Sequence, residues 1–224
     1  MNDMSTLKIA KPPATLREMA LDKLRDAIIG GLFEPGQRLV ERTLCEHLGV
    51  SRTVIREVIR HLEAEGLVEV IPHQGPAVAR LDWETAAQIY DIRAQLEADA
   101  AAACAKRISE DDLASLRDAL ETLEADSPDR DARSMIVAST DFYRTIFLSA
   151  GQTIAWEIVD RLNGRISRLR VLTLSTGNRL DTGPKRMREI YQAIADGKPD
   201  QAAKACRRHL QEARKIAQTV LSNR

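Results

Sequence analysis

Hydrophobic residues recur at helical spacing near the start of the chain and predict two short helices there. In the first helix, Leu16 and Ile28 belong to one apolar face. Thr15 and Glu18 precede that face as a capping box, which satisfies two free backbone amides at a helix start. The second helix is predicted over about residues 41–48.

A tight turn and a third helix follow. Gly49 ends the second helix and permits the bend, and Ser51 caps the third helix, which extends to about residue 65. Two extended runs rich in valine and isoleucine come next, at 67–71 and 77–81, and predict a β-hairpin. This order of elements is that of a winged helix-turn-helix.

The pattern changes after about residue 82, where alanine-rich amphipathic segments predict long helices and no strand. We therefore predict a mainly α protein with three parts. The parts are a flexible N-terminal arm (1–14, with Lys8 and Lys11), a winged helix-turn-helix of three helices plus a β-hairpin wing (15–81), and an all-α bundle of about six helices (82–224). The predicted bundle helices are about 83–106, 109–125, 131–150, 153–174, 184–196 and 200–222.

Composition narrows the classes of function. The 224 residues hold 33 basic and 33 acidic side chains, so a nucleic-acid partner would need a local basic patch. No apolar run approaches the roughly 18 residues of a membrane span, and no signal-peptide pattern is present. The three cysteines are far apart and lie outside any CxxC motif, which argues against a disulfide framework. We expect a cytoplasmic protein with no membrane partner.

The third predicted helix supplies such a patch. At 100° per residue, Arg52, Arg56 and Arg60 lie opposite an apolar arc. That arc consists of Val54, Ile55, Val58, Ile59 and Leu62. Arginines one turn apart on a short helix reach phosphates and guanine edges together. A solvated arginine face is the alternative, but the glycine turn, the serine cap and the hairpin around this helix favour DNA binding.

These features resemble the DNA-binding domain of GntR-type bacterial transcription regulators. The matching pieces are Pro35-Gly36 followed by Leu39, Val50-Ser51-Arg52-Thr53, Arg56-Glu57, and Leu62 through Gly66-Leu67-Val68. The resemblance implies a sequence-specific regulator of transcription.

It also implies roles for individual residues. Arg42 is expected to hold the DNA backbone, and Arg52 and Arg56 are expected to contact bases or phosphates. Ser51 and Thr53 are expected to bind phosphates through their hydroxyls and amides.

Two further positions are compared with the family. Gly75, at the predicted wing tip, is expected to approach the minor groove, where a side chain would collide. Val54 stands where the family often has proline, a departure that leaves the helix start intact.

The helical remainder resembles the ligand domain of the FadR branch in its FCD form, beginning at Asp91-Ile92-Arg93 with Leu96-Glu97. Many such domains hold a divalent metal through one aspartate and three histidines. The corresponding positions here are Ser139, Tyr143, Met187 and His209. Three of the four ligands are absent, so we expect neither a metal nor another cofactor.

One other metal site stays open at this point. Cys206 and His209 are three residues apart and would share a helix face, and Asp141 would be a third zinc ligand. The competing interpretation, which we favour, makes Cys206 a small core residue of an alanine-rich helix.

Without a metal, the expected ligand pocket binds through side chains alone. Ser139, Tyr143 and His209 offer neutral hydrogen bonds, and Met187 offers an adaptable apolar wall. Arg93 is expected to pair with a ligand carboxylate; a salt bridge to Glu97 is the alternative. A basic run is interpreted mainly as a solvated or dimer face, and less as a ligand contact. It comprises Arg161, Arg165, Arg168 and Arg170.

The combined prediction is a homodimeric regulator that binds a pseudo-palindromic double-stranded operator and is controlled by a small-molecule effector, an organic acid. Repression relieved by the effector is favoured over activation. A constitutive DNA-binding dimer with a vestigial pocket is the main alternative. An enzyme is disfavoured, because the chain has no GxSxG, HExxH or phosphate-loop motif and the predicted bundle contains a single histidine.

Overall fold

A computed structural model of the protein describes residues 15–125, 131–176 and 179–222. The chain forms two compact units. Unit 1 contains the described residues up to 28 together with 32–79, and unit 2 contains 29–31 and the described residues from 80 onward. The predicted N-terminal arm, residues 1–14, lies outside the described residues.

Unit 1 is built from three helices and a hairpin. They are α1 (Leu16–Ile29), α2 (Glu41–Leu48), α3 (Arg52–Ala64), β1 (Val68–Ile71) and β2 (Gly75–Val78). The capping box at the start of α1 is formed, since the Thr15 amide donates to Glu18 at 2.7 Å. Gly49 ends α2 with φ of 66°, a left-handed conformation that glycine adopts without a steric penalty. The predicted winged helix-turn-helix is confirmed.

The wing differs from the prediction in the position of its second strand. β2 begins at Gly75 instead of residue 77, because Gly75 pairs with Ile71 in an antiparallel register that also joins Val68 to Val78. Only residues 72–74 are left for the turn, and His73 at its centre has φ of 64°. The side chains of Val68 and Val78 are buried in the core of unit 1.

Unit 2 is entirely helical in its described residues. Its helices are α4 (Trp83–Ala105), α5 (Glu110–Glu124), α6 (Ala132–Ser149), α7 (Thr153–Arg165), α8 (Ser167–Leu174), α9 (Arg179–Ala195) and α10 (Pro199–Ser222). The mainly α fold class is therefore confirmed. Among the described residues, unit 2 has seven helices, whereas about six were predicted.

The additional helix arises from a break at Ile166. The helix predicted over 153–174 is divided there, because Ile166 has φ of −105° and ψ of 9°, outside the helical range. The Ile166 side chain is fully buried against Tyr90 and Leu169, so tertiary packing stabilises the break. The prediction for α9 was also inexact: the helix begins at Arg179 and includes Pro184, which removes one backbone donor within its second turn.

The core of unit 2 lies where α4 and α10 pack along each other. Small buried side chains on both helices, such as Ala101 and Ala202, permit close approach of the two backbones. Phe142, Ile146 and Phe147 from α6 fill the space beside them. Across the described ranges, no helix combines the length and the apolar character needed to cross a bilayer.

Candidate functional site

Helix α3 of unit 1 is amphipathic in the way the sequence predicts. Ile55, Val58 and Leu62 are fully buried against the rest of the unit. Arg52 and Arg56 are exposed on the other side. The helix begins after Ser51, whose hydroxyl accepts a hydrogen bond from the Val54 amide at 3.3 Å. The first turns of α3 therefore present Arg52 and Arg56 to solvent, where a ligand can reach their guanidiniums.

Two of the predicted DNA-contacting arginines form ion pairs within unit 1. Arg56 Nε donates to both carboxylate oxygens of Glu41, at 3.0 and 3.1 Å. Arg42 Nε donates to Glu46 at 3.0 Å. Both guanidiniums are exposed, and exposed pairs contribute only about 0–1 kcal/mol, so phosphate oxygens can replace these carboxylates at small cost.

The remaining predicted DNA contacts are also on the surface. Arg52 and Thr53 are exposed in the first turn of α3. Gly75 is the first paired residue after the turn of the wing and has φ of 87°. A Cβ built at Gly75 meets no atom within 4 Å, so the backbone conformation alone accounts for glycine at this position. Its approach to the minor groove stays a prediction.

Unit 2 contains a partly enclosed cavity of about 60 Å³. Four helices supply its walls through the five predicted ligand-pocket residues, although these residues are far apart in the sequence. They are Arg93 on α4, Ser139 and Tyr143 on α6, Met187 on α9 and His209 on α10. The rings of Tyr143 and His209 are in contact, with centroids 6.2 Å apart.

A buried ion pair lies at the α4 side of the cavity. Arg93 Nε donates to Glu97 Oε1 at 2.7 Å, and the two residues are only 4% and 0% exposed. Burial raises the pKa of Glu97, and the neighbouring guanidiniums of Arg93 and Arg170 oppose that shift. Arg93 thus lines the cavity and also forms the salt bridge that the sequence analysis treated as the alternative.

Arg170 on α8 is a cavity residue that the sequence analysis assigned to a solvated or dimer face. Its Nη2 donates to the hydroxyl of Ser139 at 2.9 Å, and that hydroxyl donates to the Ile136 carbonyl at 2.9 Å. The assignment was wrong because the break at Ile166 changes the direction of the chain before α8. The nearest helix-breaking residue in the sequence is Gly164, two positions before the break, and it does not by itself predict the change of direction.

Tyr143 and Cys206 add neutral groups beneath the cavity. The Tyr143 hydroxyl lies 3.8 Å from Cys206 Sγ. Burial raises the pKa of both groups, so the phenol and the thiol stay protonated near neutral pH. The cavity wall therefore combines two guanidiniums with uncharged hydrogen-bonding groups.

Two family models match this chain. The FCD domain matches residues 88–212, and the gntR family of bacterial regulatory proteins matches residues 16–78. The first match alone covers more than half of the chain. The protein is a gntR-family bacterial regulator with an FCD domain. The cavity lies inside the FCD match, and α3 lies inside the gntR match.

Relatives of this gntR-family regulator are transcriptional regulators and not enzymes. An HTH-type regulator in an unstable DNA locus of Streptomyces ambofaciens is 29% identical over 188 residues, which are 84% of this chain and 79% of that protein. The HTH-type regulator McbR of Escherichia coli is 30% identical over 132 residues, 59% of this chain and 60% of that protein.

Solved structures agree with the fold of the regulator. The structure of McbR from E. coli covers 94% of this chain and 99% of its own, with a TM-score of 0.72 and 23% identity. A GntR regulator from Rhodococcus covers 91% of this chain and 97% of its own, with a TM-score of 0.74 and 23% identity. At this level of identity the likeness concerns the fold.

The regulator's cavity does not fit the divalent metal that its FCD resemblance implies. The Ser139 hydroxyl is bonded to Arg170 and Ile136, Tyr143 is a neutral phenol and Met187 is a thioether, all poor ligands for such ions. The alternative zinc site is not assembled either, because Asp141 is exposed whereas Cys206 is fully buried. Within the described ranges no three His, Cys, Asp or Glu side chains are placed to hold an ion.

Proposed function

We propose that this regulator represses transcription as a homodimer and that a small organic acid, bound in the cavity of unit 2, releases it from its operator. The observation that carries the proposal is the pairing of two arginine sites within one chain. One is the exposed arginine face of α3 in unit 1, and the other is the arginine-lined cavity of unit 2.

The DNA contacts proposed for unit 1 are the six predicted ones. Arg52 and Arg56 contact bases or phosphates, and Arg42, Ser51 and Thr53 contact the backbone. Gly75 brings the wing to the minor groove. Because a two-fold protein dimer meets two equivalent half-sites, the operator is a pseudo-palindrome.

An exposed apolar stripe on unit 2 supports the homodimer. Ile154 and Ile158 on α7 are 67% and 46% exposed, and they are followed at helical spacing by Arg161 and Arg165. Isoleucines in successive turns of one helix face form a self-complementary surface when a second copy packs against it. Light scattering of the full chain tests this point: a mass of two chains supports the dimer, and a mass of one chain refutes it.

The effector proposed for unit 2 contacts Arg93, Ser139, Tyr143, Met187 and His209. Its binding changes the relative free energies of the DNA-competent and DNA-incompetent arrangements of the dimer, by no more than its difference in affinity for the two. A vestigial cavity would leave operator affinity insensitive to every acid.

The deciding experiment has two steps. A double-stranded operator is first selected from random sequence with the full chain at moderate salt. Its affinity is then measured by fluorescence anisotropy with a panel of small carboxylic acids. Loss of affinity with a subset of acids supports the proposal. No preference for any double-stranded sequence would contradict the DNA-binding half, and an operator affinity unaffected by the whole panel would contradict the effector half.

A further inference from the structure

The cavity of unit 2 has an excess of one positive charge. Two guanidiniums line it, those of Arg93 and Arg170, and one buried carboxylate, that of Glu97, accepts a hydrogen bond from Arg93. Arg170 interacts with the carboxylate of Glu97 through space, whereas the ion pair of that carboxylate is formed with Arg93. Its polar side-chain contact is the hydroxyl of Ser139. A hydroxyl satisfies one donor but does not neutralise the charge.

The surroundings make this charge costly. Burial lowers the pKa of Arg170 to about 10, and the positive charge of Arg93 acts in the same direction. Arg170 remains protonated at neutral pH, so the folded domain keeps the charge in a partly enclosed place. An anion beside Arg170 would relieve both the lost hydration and the repulsion from Arg93.

We propose that the guanidinium of Arg170 binds the carboxylate of a ligand carrying a single negative charge, in the role that a divalent metal has in related domains. This inference rests on the proposed function and deepens it by naming the effector class, a monocarboxylate. Ser139 replaces a metal-binding aspartate in the family comparison, and here its hydroxyl orients Arg170. The chain thus provides a fixed organic cation where those domains use a metal ion.

The other walls of the cavity select the body of the ligand. Met135 and Leu123 from one side and Met187 and Leu210 from the other give an apolar lining. The space is small, about 60 Å³, and is not fully enclosed, so it limits the body of the ligand to a short acyl chain. The predicted ligand is therefore a short aliphatic acid with one carboxylate.

Glu97 sets the preference for one charge over two. It neutralises Arg93 at 2.7 Å and leaves Arg170 as the available cation. A second carboxylate on the ligand would lie near the buried charge of Glu97 and would lose its hydration without gaining a partner. Replacing Glu97 with glutamine removes this opposition and adds a second unneutralised guanidinium.

Isothermal titration of the full chain without DNA tests the inference with three four-carbon probes: butyrate, butyramide and succinate. Because His209 also lines the cavity, the titration is made at about pH 8, above the ordinary pKa of an imidazole. We expect butyrate to bind at least ten-fold more tightly than butyramide or succinate. Arg170→Met should weaken butyrate binding by about ten- to hundred-fold, because it removes charge-assisted hydrogen bonds. Arg144→Met, a change of an exposed arginine on α6, should leave binding unchanged.

Glu97→Gln supplies an independent readout of the same charge. It should shift the ratio of succinate to butyrate affinity toward succinate by ten-fold or more. If thermal melting shows that Arg170→Met is unfolded, Arg170→Lys is used, which keeps the charge and should retain part of the butyrate affinity while losing the bidentate geometry. Equal binding of butyrate and butyramide, wild-type affinity in Arg170→Met, or an unchanged ratio in folded Glu97→Gln would overturn the inference.

The outcome separates this inference from the proposed function. If butyrate binds through Arg170 and operator affinity does not respond, the effector control fails and the monocarboxylate site stands. If operator release is caused by a compound whose binding is the same in Arg170→Met, the effector control stands and the monocarboxylate site fails.

Discussion

Arginine has different physical roles in the two units of this regulator. In unit 1, the guanidiniums of Arg42 on α2 and Arg56 on α3 are hydrated, and they pair with carboxylates at the surface. In unit 2, Arg93 is buried against a fully buried carboxylate, and Arg170 is partly buried beside a hydroxyl. A hydrated arginine exchanges partners at little cost, whereas removing the partner of a buried arginine leaves an uncompensated charge. The first arrangement suits a polyanion, and the second suits a small ligand that fits one fixed geometry.

The largest expected effect breaks the buried side of this comparison. Arg93→Met should destabilise unit 2 by about 3–5 kcal/mol, because it leaves the Glu97 carboxylate buried without its adjacent cation. Urea unfolding followed by circular dichroism measures the loss. Arg42→Met, at an arginine 79% exposed, is the matched control and should change stability by no more than about 0.5 kcal/mol.

The double variant Arg93→Met with Glu97→Leu sharpens that result. It removes both charges and should recover most of the lost stability, since an apolar pair of similar volume costs less than one buried charge. Equal unfolding free energies for Arg93→Met and the Arg42→Met control would show that the buried pair has no special weight.

The next effect concerns the exposed side of the comparison. Arg52→Ala should weaken operator affinity by about 1–3 kcal/mol and relax the preference for one base, because a side chain that contacts a base edge is lost. Mobility-shift titration against the operator and single-base variants measures both quantities. Because Arg52 is exposed, the unfolding free energy should remain close to that of the wild type.

A smaller effect is expected at the wing. Gly75→Ala should cost unit 1 about 1–2 kcal/mol of stability even without DNA, because φ of 87° places a Cβ in the unfavourable left-handed region. Gly75→Asn should cost less, since asparagine tolerates this region better. Thermal melting of the two variants tests the order; equal melting temperatures for alanine, asparagine and wild type would contradict it.

The smallest effect is expected at Arg42. Arg42→Ala should weaken binding to all DNA sequences alike and lower the slope of log affinity against log salt by about one unit, because one phosphate contact is lost. Titrations at several salt concentrations give the slope. If Arg42→Ala and Arg52→Ala both bind DNA as the wild type does, the proposed interface is wrong.

Local sequence signals predict unit 1 well because its elements are short and sharply bounded. Glycine ends α2 where expected, serine caps α3, and the observed bounds Glu41–Leu48 match the predicted 41–48. The register of the wing is harder to predict from the sequence, since it depends on how Gly75 pairs with Ile71 across the turn.

The cavity of unit 2 required more than local signals. No spacing rule shows that α4, α6, α9 and α10 meet, and the five predicted residues came from the family resemblance. Arg170 escaped because a break that is stabilised by tertiary packing has no clear local signature. The backbone leaves the helical range at Ile166 itself, whereas the nearest glycine lies two residues earlier and no proline is near.

The break at Ile166 also determines which side chains of α8 face the cavity. Each residue of a helix advances its neighbour by about 100°, so deleting one residue between Ile166 and Arg170 would turn a hydrocarbon toward the cavity and the cation away from it. A single-codon change of length would thereby alter what this domain senses while every other wall stayed the same. The ligand preference of such a bundle can therefore change when one helix is rotated about its axis, without any substitution of a residue that lines the cavity.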